Sequence, residues 1–322
     1  RIQLVNGSAG AAASVIAGTG NIVMGGGSGT NATDGAATST QAGIWVGSYA
    51  SLSGADITLV GRGAANASNS AGIYLGQSSN MVATGSVNIT GTAGGTAITG
   101  IASNNNFGVS VAAAIIESTG ATGAVTLNGT GGGNALGLGN FGVSINGAGI
   151  YTGTVRTRGG ALTIKGTEGA GTSSSGISLA GGTYLGGALQ TGALKLQAND
   201  IFWGYSGTIT LKTDGAMTIE PVVTSFTANQ IMGTNVVLAG ASNSGPSSLT
   251  IGKVGNIATM SFYNPMTVAG PISFMGGAMA IDGNVTTTGI GANGLLSITS
   301  YGGSPGIGQG MVLPGSPWGI FT

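Results

Sequence analysis

Two short patterns of alternating apolar and polar positions recur along the first two thirds of the chain. The first reads Gly-apolar-x-apolar: Gly43-Ile44-Trp45-Val46, Gly72-Ile73-Tyr74-Leu75, Gly108-Val109-Ser110-Val111, Gly142-Val143-Ser144-Ile145 and Gly176-Ile177-Ser178-Leu179. Its glycines are separated by 29, 36, 34 and 34 residues. The second, apolar-x-apolar followed mostly by Gly, is interleaved with it and begins at Ile22, Ile57, Val87, Val125, Leu162 and Leu194. Those starts lie 35, 30, 38, 37 and 32 residues apart. Two independent motifs keeping one step define a repeat of about 34 residues.

The repeat is built of strands. A period of two puts both apolar side chains of a motif on one face and the middle residue on the other. The inner columns are then Ile44/Ile73/Val109/Val143/Ile177 and Met24/Leu59/Ile89/Leu127/Ile164/Leu196. The outer columns run Trp45/Tyr74/Ser110/Ser144/Ser178 and Val23/Thr58/Asn88/Thr126/Thr163/Lys195. A weaker third strand is expected near Val82, Ile116, Tyr151 and Leu185. Strands this short need more than hairpins to be stable, and two-residue hairpin signals are scarce. Stacking each strand in parallel on its counterpart one repeat later, about 4.8 Å away, fills a continuous interior with like side chains. The pattern therefore predicts an all-β, right-handed parallel β-helix. Glycine is expected at corners that need φ > 0. The Gly/Ser/Thr/Asn segments 25–41, 61–70, 91–106, 129–140 and 166–175 are expected to project as surface loops.

The rhythm shortens after residue 200. An aromatic cluster, Asp200-Ile201-Phe202-Trp203-Gly204-Tyr205, precedes closely spaced apolar triplets at 209–211, 217–219, 236–238, 249–251, 260–262, 272–274, 279–281 and 295–298. We expect coils with projecting loops over 1–200 and a continuation with shorter coils over 201–322. Roughly a dozen coils would give a rod on the order of 60 Å long. Neither end shows a polar helix or charged strand to cap it, so flanking β-helical segments or end-to-end self-association are expected partners. The opening Arg1-Ile2-Gln3-Leu4, without Met, reads as part of a longer or processed product.

Composition narrows the function more than it defines it. Of 322 residues 67 are Gly, and only 16 are charged, 8 basic and 8 acidic, where a soluble domain is usually about a quarter charged. Cys and His are absent, which removes disulfides, Cys/His metal sites and His-dependent acid–base catalysis. A zero net charge leaves no basic footprint for nucleic acid. The longest apolar stretch, 109–116, ends at Glu117, far short of the roughly 20 residues of a membrane-spanning helix, so no membrane insertion is expected. With 41% hydrophobic residues, 7 Pro and no Gly-x-y period, the chain is neither disordered nor collagen-like.

The stretch Ser248-Leu-Thr-Ile-Gly-Lys-Val-Gly-Asn256, with Met266-Thr-Val-Ala-Gly-Pro-Ile-Ser-Phe274 and Ala278-Met-Ala-Ile-Asp-Gly-Asn-Val-Thr-Thr-Thr-Gly289, resembles the repeats of filamentous-haemagglutinin-like exoproteins. The units between residues 20 and 200 are similar to Gly-rich repeats of the same giant bacterial surface proteins. The resemblance implies a β-helix exported by two-partner secretion or as an autotransporter, acting as an adhesin or fibre at the cell surface.

The residues that carry chemistry are few. The carboxylates Asp34, Asp56, Glu117, Glu168, Asp200, Asp214, Glu220 and Asp282 are all at least six residues apart, and no acid cluster of a polysaccharide-cleaving enzyme is apparent. Arg156 and Arg158, with Lys165 nearby, are the only basic grouping; alternation puts both arginines on one face, to bind an acidic glycan or to pair with Glu168. Trp45 and Tyr74 are neighbours in an outward column and suit a sugar ring or a second filament subunit. Phe107 and Phe141, each preceding a strand Gly, are expected to pack at a corner. The expected function is a non-catalytic structural or adhesive segment of an extracellular fibre, needing no cofactor and acting through self-association and contact with surfaces or their glycans. The alternative is a glycan-binding or glycan-cleaving β-helix such as a phage tail spike.

Overall fold

The computed structural model describes residues 2–4, 13–25, 42–64, 68–95, 102–241, 245–288, 294–302, 305–307, 311–312 and 318–321. The chain winds into a parallel β-helix: among the described residues every named element is a strand, and every ladder between named strands is parallel. Each coil contributes one strand to each of three faces. The first face stacks seven strands, from Ile2–Leu4 to Ile201–Trp203; the second stacks eight, from Ser14–Ile16 to Val236–Ala239. The third is continuous along the described chain, eleven strands from Ile22–Gly25 to Trp318–Phe321. Eleven layers at about 4.8 Å make a stack about 50 Å long, somewhat shorter than a dozen coils would give.

The predicted columns are the observed ladders. Val109 pairs with Ile73 and Val143, and Val143 with Ile177, while Leu127 pairs with Ile89 and Ile164. These side chains are fully buried and belong to one core running from Ile22 to Ile298. Each such burial stabilises by about 1.5–3 kcal/mol, and the stack repeats it layer after layer. On the third face the residue paired with Ile22 lies 35 positions on, and later steps are 30, 38, 37 and 32. From Leu194 the steps become 23, 32, 23, 24 and 22.

The expected third strand is present at Asn80–Ala83, Ile115–Ser118 and Thr183–Gly186, and differs in detail. Met81, not Val82, points inward and pairs with Ile116; Val82 lies outward beside Glu117. Tyr151 is not in the strand at all. It closes a tight antiparallel bridge with Ala148 over Gly149, and the strand follows at Gly153–Thr157 with Val155 inward.

The polar segments also differ from free loops. Third-face strands continue to Arg62, Thr92, Thr130 and Thr167, so the segments begin inside the sheet. Where fully described they stack on each other: Leu138 bridges Thr172 in parallel, and Ala170 N–H donates to the Gly132 carbonyl at 3.0 Å. They end in a buried ladder. The Ser70 amide donates to Asn106 Oδ1 and the Asn106 amide to Asn140 Oδ1, both at 3.0 Å. The Asn140 amide donates to Ser174 Oγ at 3.2 Å, and Ser175 Oγ donates to Asp200 Oδ2 at 2.8 Å. Segment 26–41 lies outside the described residues, as do 65–67 and 96–101.

As expected, glycine takes φ > 0 at several turns, among them Gly95 (φ 87), Gly133 (φ 83) and Gly182 (φ 76). Several corners that need φ > 0 use other residues, among them Asn69 (φ 57), Asn105 (φ 55) and Ser173 (φ 55). The strand glycines are instead required by close approach. A Cβ on Gly91, Gly129 or Gly166 would overlap the carbonyl of Gly108, Gly142 or Gly176 of the same coil.

Near residue 200 the first face is interrupted and resumes as a four-stranded sheet, Gln230–Met232, Met260–Phe262, Met279–Ile281 and Pro305–Ile307. At the break an amide replaces an aliphatic side chain in the interior. Gln230 is buried, donates Nε2 to Asp200 Oδ1 at 3.1 Å and accepts the Trp203 indole N–H at 3.3 Å.

Candidate contact surfaces

The outer face of the seven-stranded sheet carries an aromatic stripe. Register places Trp45 directly beside Tyr74, and then Ser110, Ser144, Ser178 and Phe202 in one column. The Trp45 and Tyr74 rings sit 4.7 Å apart at 41°, both half-buried. Burial pushes the Tyr74 phenol above its ordinary value of 10.0, because the phenolate would lose hydration. A phenol raised in the folded chain holds its proton after the unfolded chain has lost it. Its contribution to stability is therefore complete below pH 10 and is lost as pH rises through the folded value. We expect Tyr74→Phe to flatten the alkaline fall in melting temperature above pH 10 and to delete a late step from the phenolate absorbance titration. An unchanged titration would contradict the assignment.

A second aromatic ladder runs through Phe107 and Phe141, which lie just ahead of strands Val109–Ala112 and Val143–Asn146, at the corner where they were expected to pack. Phe107 and Phe141 stack at 5.8 Å and 3°, Phe141 stacks on Phe202 at 6.4 Å and 10°, and Tyr205 meets Phe202 edge-on at 6.4 Å. Ser110 and Ser178 lie in the Trp45 column and are each only 4% exposed, whereas Phe202 is 42% and Tyr205 77% exposed. The ladder thus opens to solvent at its Tyr205 end. Phe202 occupies the middle of Ile201-Phe202-Trp203, the same apolar-x-apolar position as Tyr74. Its place in the stripe was readable from that motif once the 24-residue step from Ile177 to Ile201 is allowed.

The basic grouping lies on the second face. Arg156 stands in register with Glu117 one coil earlier and binds it, Nη2 to Oε2 at 2.8 Å. This corrects the pairing with Glu168, which follows the third-face strand Leu162–Thr167, on a different face. Lys165 points outward from that same third-face strand. The Arg156–Glu117 pair is partly exposed, with side chains 41% and 25% accessible, so it contributes at most about 1 kcal/mol. Arg158 is exposed, with no side-chain partner among the described residues.

Asp56 and Glu220 serve local structure. Asp56 Oδ1 accepts the Ser86 amide at 2.7 Å, and Glu220 Oε1 binds Lys195 Nζ at 2.7 Å and Gln197 Nε2 at 2.9 Å. Asp34 lies outside the described residues. Among the described residues no three Asp, Glu, His or Cys side chains gather as a metal site would require, and no helix is long and apolar enough to cross a membrane. No family model, no curated protein and no solved structure matches the chain.

Proposed function

We propose that this chain is a structural and adhesive segment of a bacterial extracellular fibre, of the filamentous-haemagglutinin-like kind, working through self-association and surface contact rather than catalysis. The observation that carries the reading is the joining of a continuous stack of parallel coils to an aromatic stripe along one of its faces. A solenoid supplies length and stiffness because each coil is held by its neighbours. Half-exposed rings supply contact area at little conformational expense. The scarcity of charge supports lateral packing, since few ions lose hydration when such faces meet. Strand Ile2–Leu4 is paired on one side only among the described residues, which leaves backbone groups able to accept a further strand.

Electron microscopy of the purified chain and of the bacterial surface that displays it tests this. Periodic filaments or bundles are expected, thinned by Phe202→Ser or Tyr205→Ser. Compact trimers that release reducing ends from polysaccharide would overturn the fibre in favour of a spike.

A further inference from the structure

We propose that the groove around Arg156 and Arg158 is a binding site for an unsulfated acidic polysaccharide, holding the carboxylate of one uronate unit. The groove has a volume of about 350 Å³ and is lined by both arginines, Glu117, Thr119 and Leu189. It exists because the coil above Arg156 places no side chain there. Gly186 takes the next position in the column and pairs onward with Lys212, and a Cβ on Gly186 would overlap the Lys212 carbonyl. Gly187 then leaves room for the Arg156 stem, whose Cδ lies 3.6 Å from where its Cβ would be.

The donors in this groove are unspent. Glu117 occupies Nη2 of Arg156, yet the Arg156 Nε is buried with no hydrogen-bond partner. A donor left so is unfavourable until something accepts from it. Arg158, two residues on and on the same outward side, presents a whole guanidinium. Lys212 stands two coils above Arg156, about 10 Å away, and has no ion-pair partner among the described residues. Three of the chain's eight basic residues thus gather on one face, a marked concentration in so uncharged a protein.

The occupant follows from charge and shape. A planar carboxylate matches guanidinium donors. Glu117 cancels one of the two arginine charges, which suits a singly charged group on a neutral ring better than a phosphate or a densely sulfated chain. Leu189, 63% exposed, offers an apolar wall to a pyranose face. Peptide addition has no edge to use, because Ile115–Ser118 and Gly153–Thr157 are each paired on both sides. A pyranose in an extended chain advances by close to one strand spacing, so Lys212, two spacings from Arg156, falls within reach of the uronate two units along.

This inference rests on the fibre reading only for where such a polymer would be met. The test is calorimetric titration of the purified chain with oligogalacturonate, its carboxyl-reduced neutral counterpart, a heparin oligosaccharide and a polyglutamate peptide. Oligogalacturonate is expected to bind, more weakly as salt is raised. Arg158→Gln should weaken it at least tenfold with an unchanged melting temperature, and Glu117→Gln should tighten it severalfold. Lys212→Gln should weaken a tetramer but not a single uronate. Equal binding of the neutral oligomer or of polyglutamate, preference for heparin, or indifference to Arg158→Gln would each overturn the proposal. Filaments that form without uronate binding overturn the groove alone; uronate binding by rods that never assemble overturns the fibre alone.

Discussion

Gly129→Ala is expected to destabilise the β-helix by about 3 kcal/mol or more, and Gly129→Val to prevent the central coils from forming. The added Cβ would meet the Gly142 carbonyl, with the Gly142 carbon at 2.6 Å and Val143 Cγ2 at 2.7 Å. Nothing there is the end of a flexible side chain. Gly129 is fixed by ladder pairing to Gly91 below and Gly166 above. On the opposite side the Gly142 amide donates to Ser175 O at 3.1 Å, and the Val143 amide to Gly176 O at 2.9 Å. Separating the two strands by the needed distance would lengthen hydrogen bonds in three coils at once, so the strain exceeds that of ordinary core overpacking. Two controls separate this effect from the general consequences of replacing glycine. Gly302 has open space, and Gly302→Ala should change stability by no more than about 0.5 kcal/mol. Gly149 has open space but φ +60, so Gly149→Ala should lose only the roughly 1–2 kcal/mol of a left-handed backbone. Chemical denaturation ranks the three; a Gly129→Ala protein as stable as the Gly302 variant would refute the close-approach account.

The same glycines show what sequence can and cannot disclose. Alternation in Ile44-Trp45-Val46 and its relatives fixes strand type, face and neighbour, because a one-residue slip would turn every aliphatic side chain to water. The ladders Val109–Val143–Ile177 and Ile89–Leu127–Ile164 were therefore legible, as was the adjacency of Trp45 and Tyr74. Glycine carries no such alternation. Its spacing marked the repeat, yet φ and steric crowding leave the same letter in the sequence, and only the coil cross-section distinguishes them. Arg156 shows a further limit. Its partner Glu117 is 39 residues away and is identified only when coil lengths are known to the residue. The groove beside it depends on Gly186, an absence of side chain one coil up, which no local motif announces. Gln230 and its strand were missed because an inward glutamine breaks the aliphatic pattern, and its acceptability rests on Asp200 and Trp203 from the previous coil.

Asn140→Ala is expected to lower stability by about 4 kcal/mol, although the residue sits in a segment whose composition resembles a solvent-exposed loop. Its side chain joins three coils. Oδ1 accepts both the Asn106 amide and Asn106 Nδ2, each at 3.0 Å; Nδ2 donates to Ser103 O at 3.0 Å and to Ala170 O at 2.7 Å. Asn106 and Asn140 are both fully buried, so water cannot replace the lost partner without opening the corner. Truncation orphans the Asn106 amide outright, at about 1–3 kcal/mol, and leaves two carbonyls under-satisfied. Networks of this kind respond as a unit, and the loss should spread to the neighbouring coils rather than stay at one residue. Hydrogen exchange provides the specific readout, with faster exchange expected at Asn106, Asn140 and Gly169 ahead of the aliphatic ladders. Asn128→Ala, an exposed position on the third face, should stay within about 0.5 kcal/mol of the parent. Equal small losses in the two variants would mean that the Asn corner is ornamental, and that apolar stacking alone holds successive coils in register.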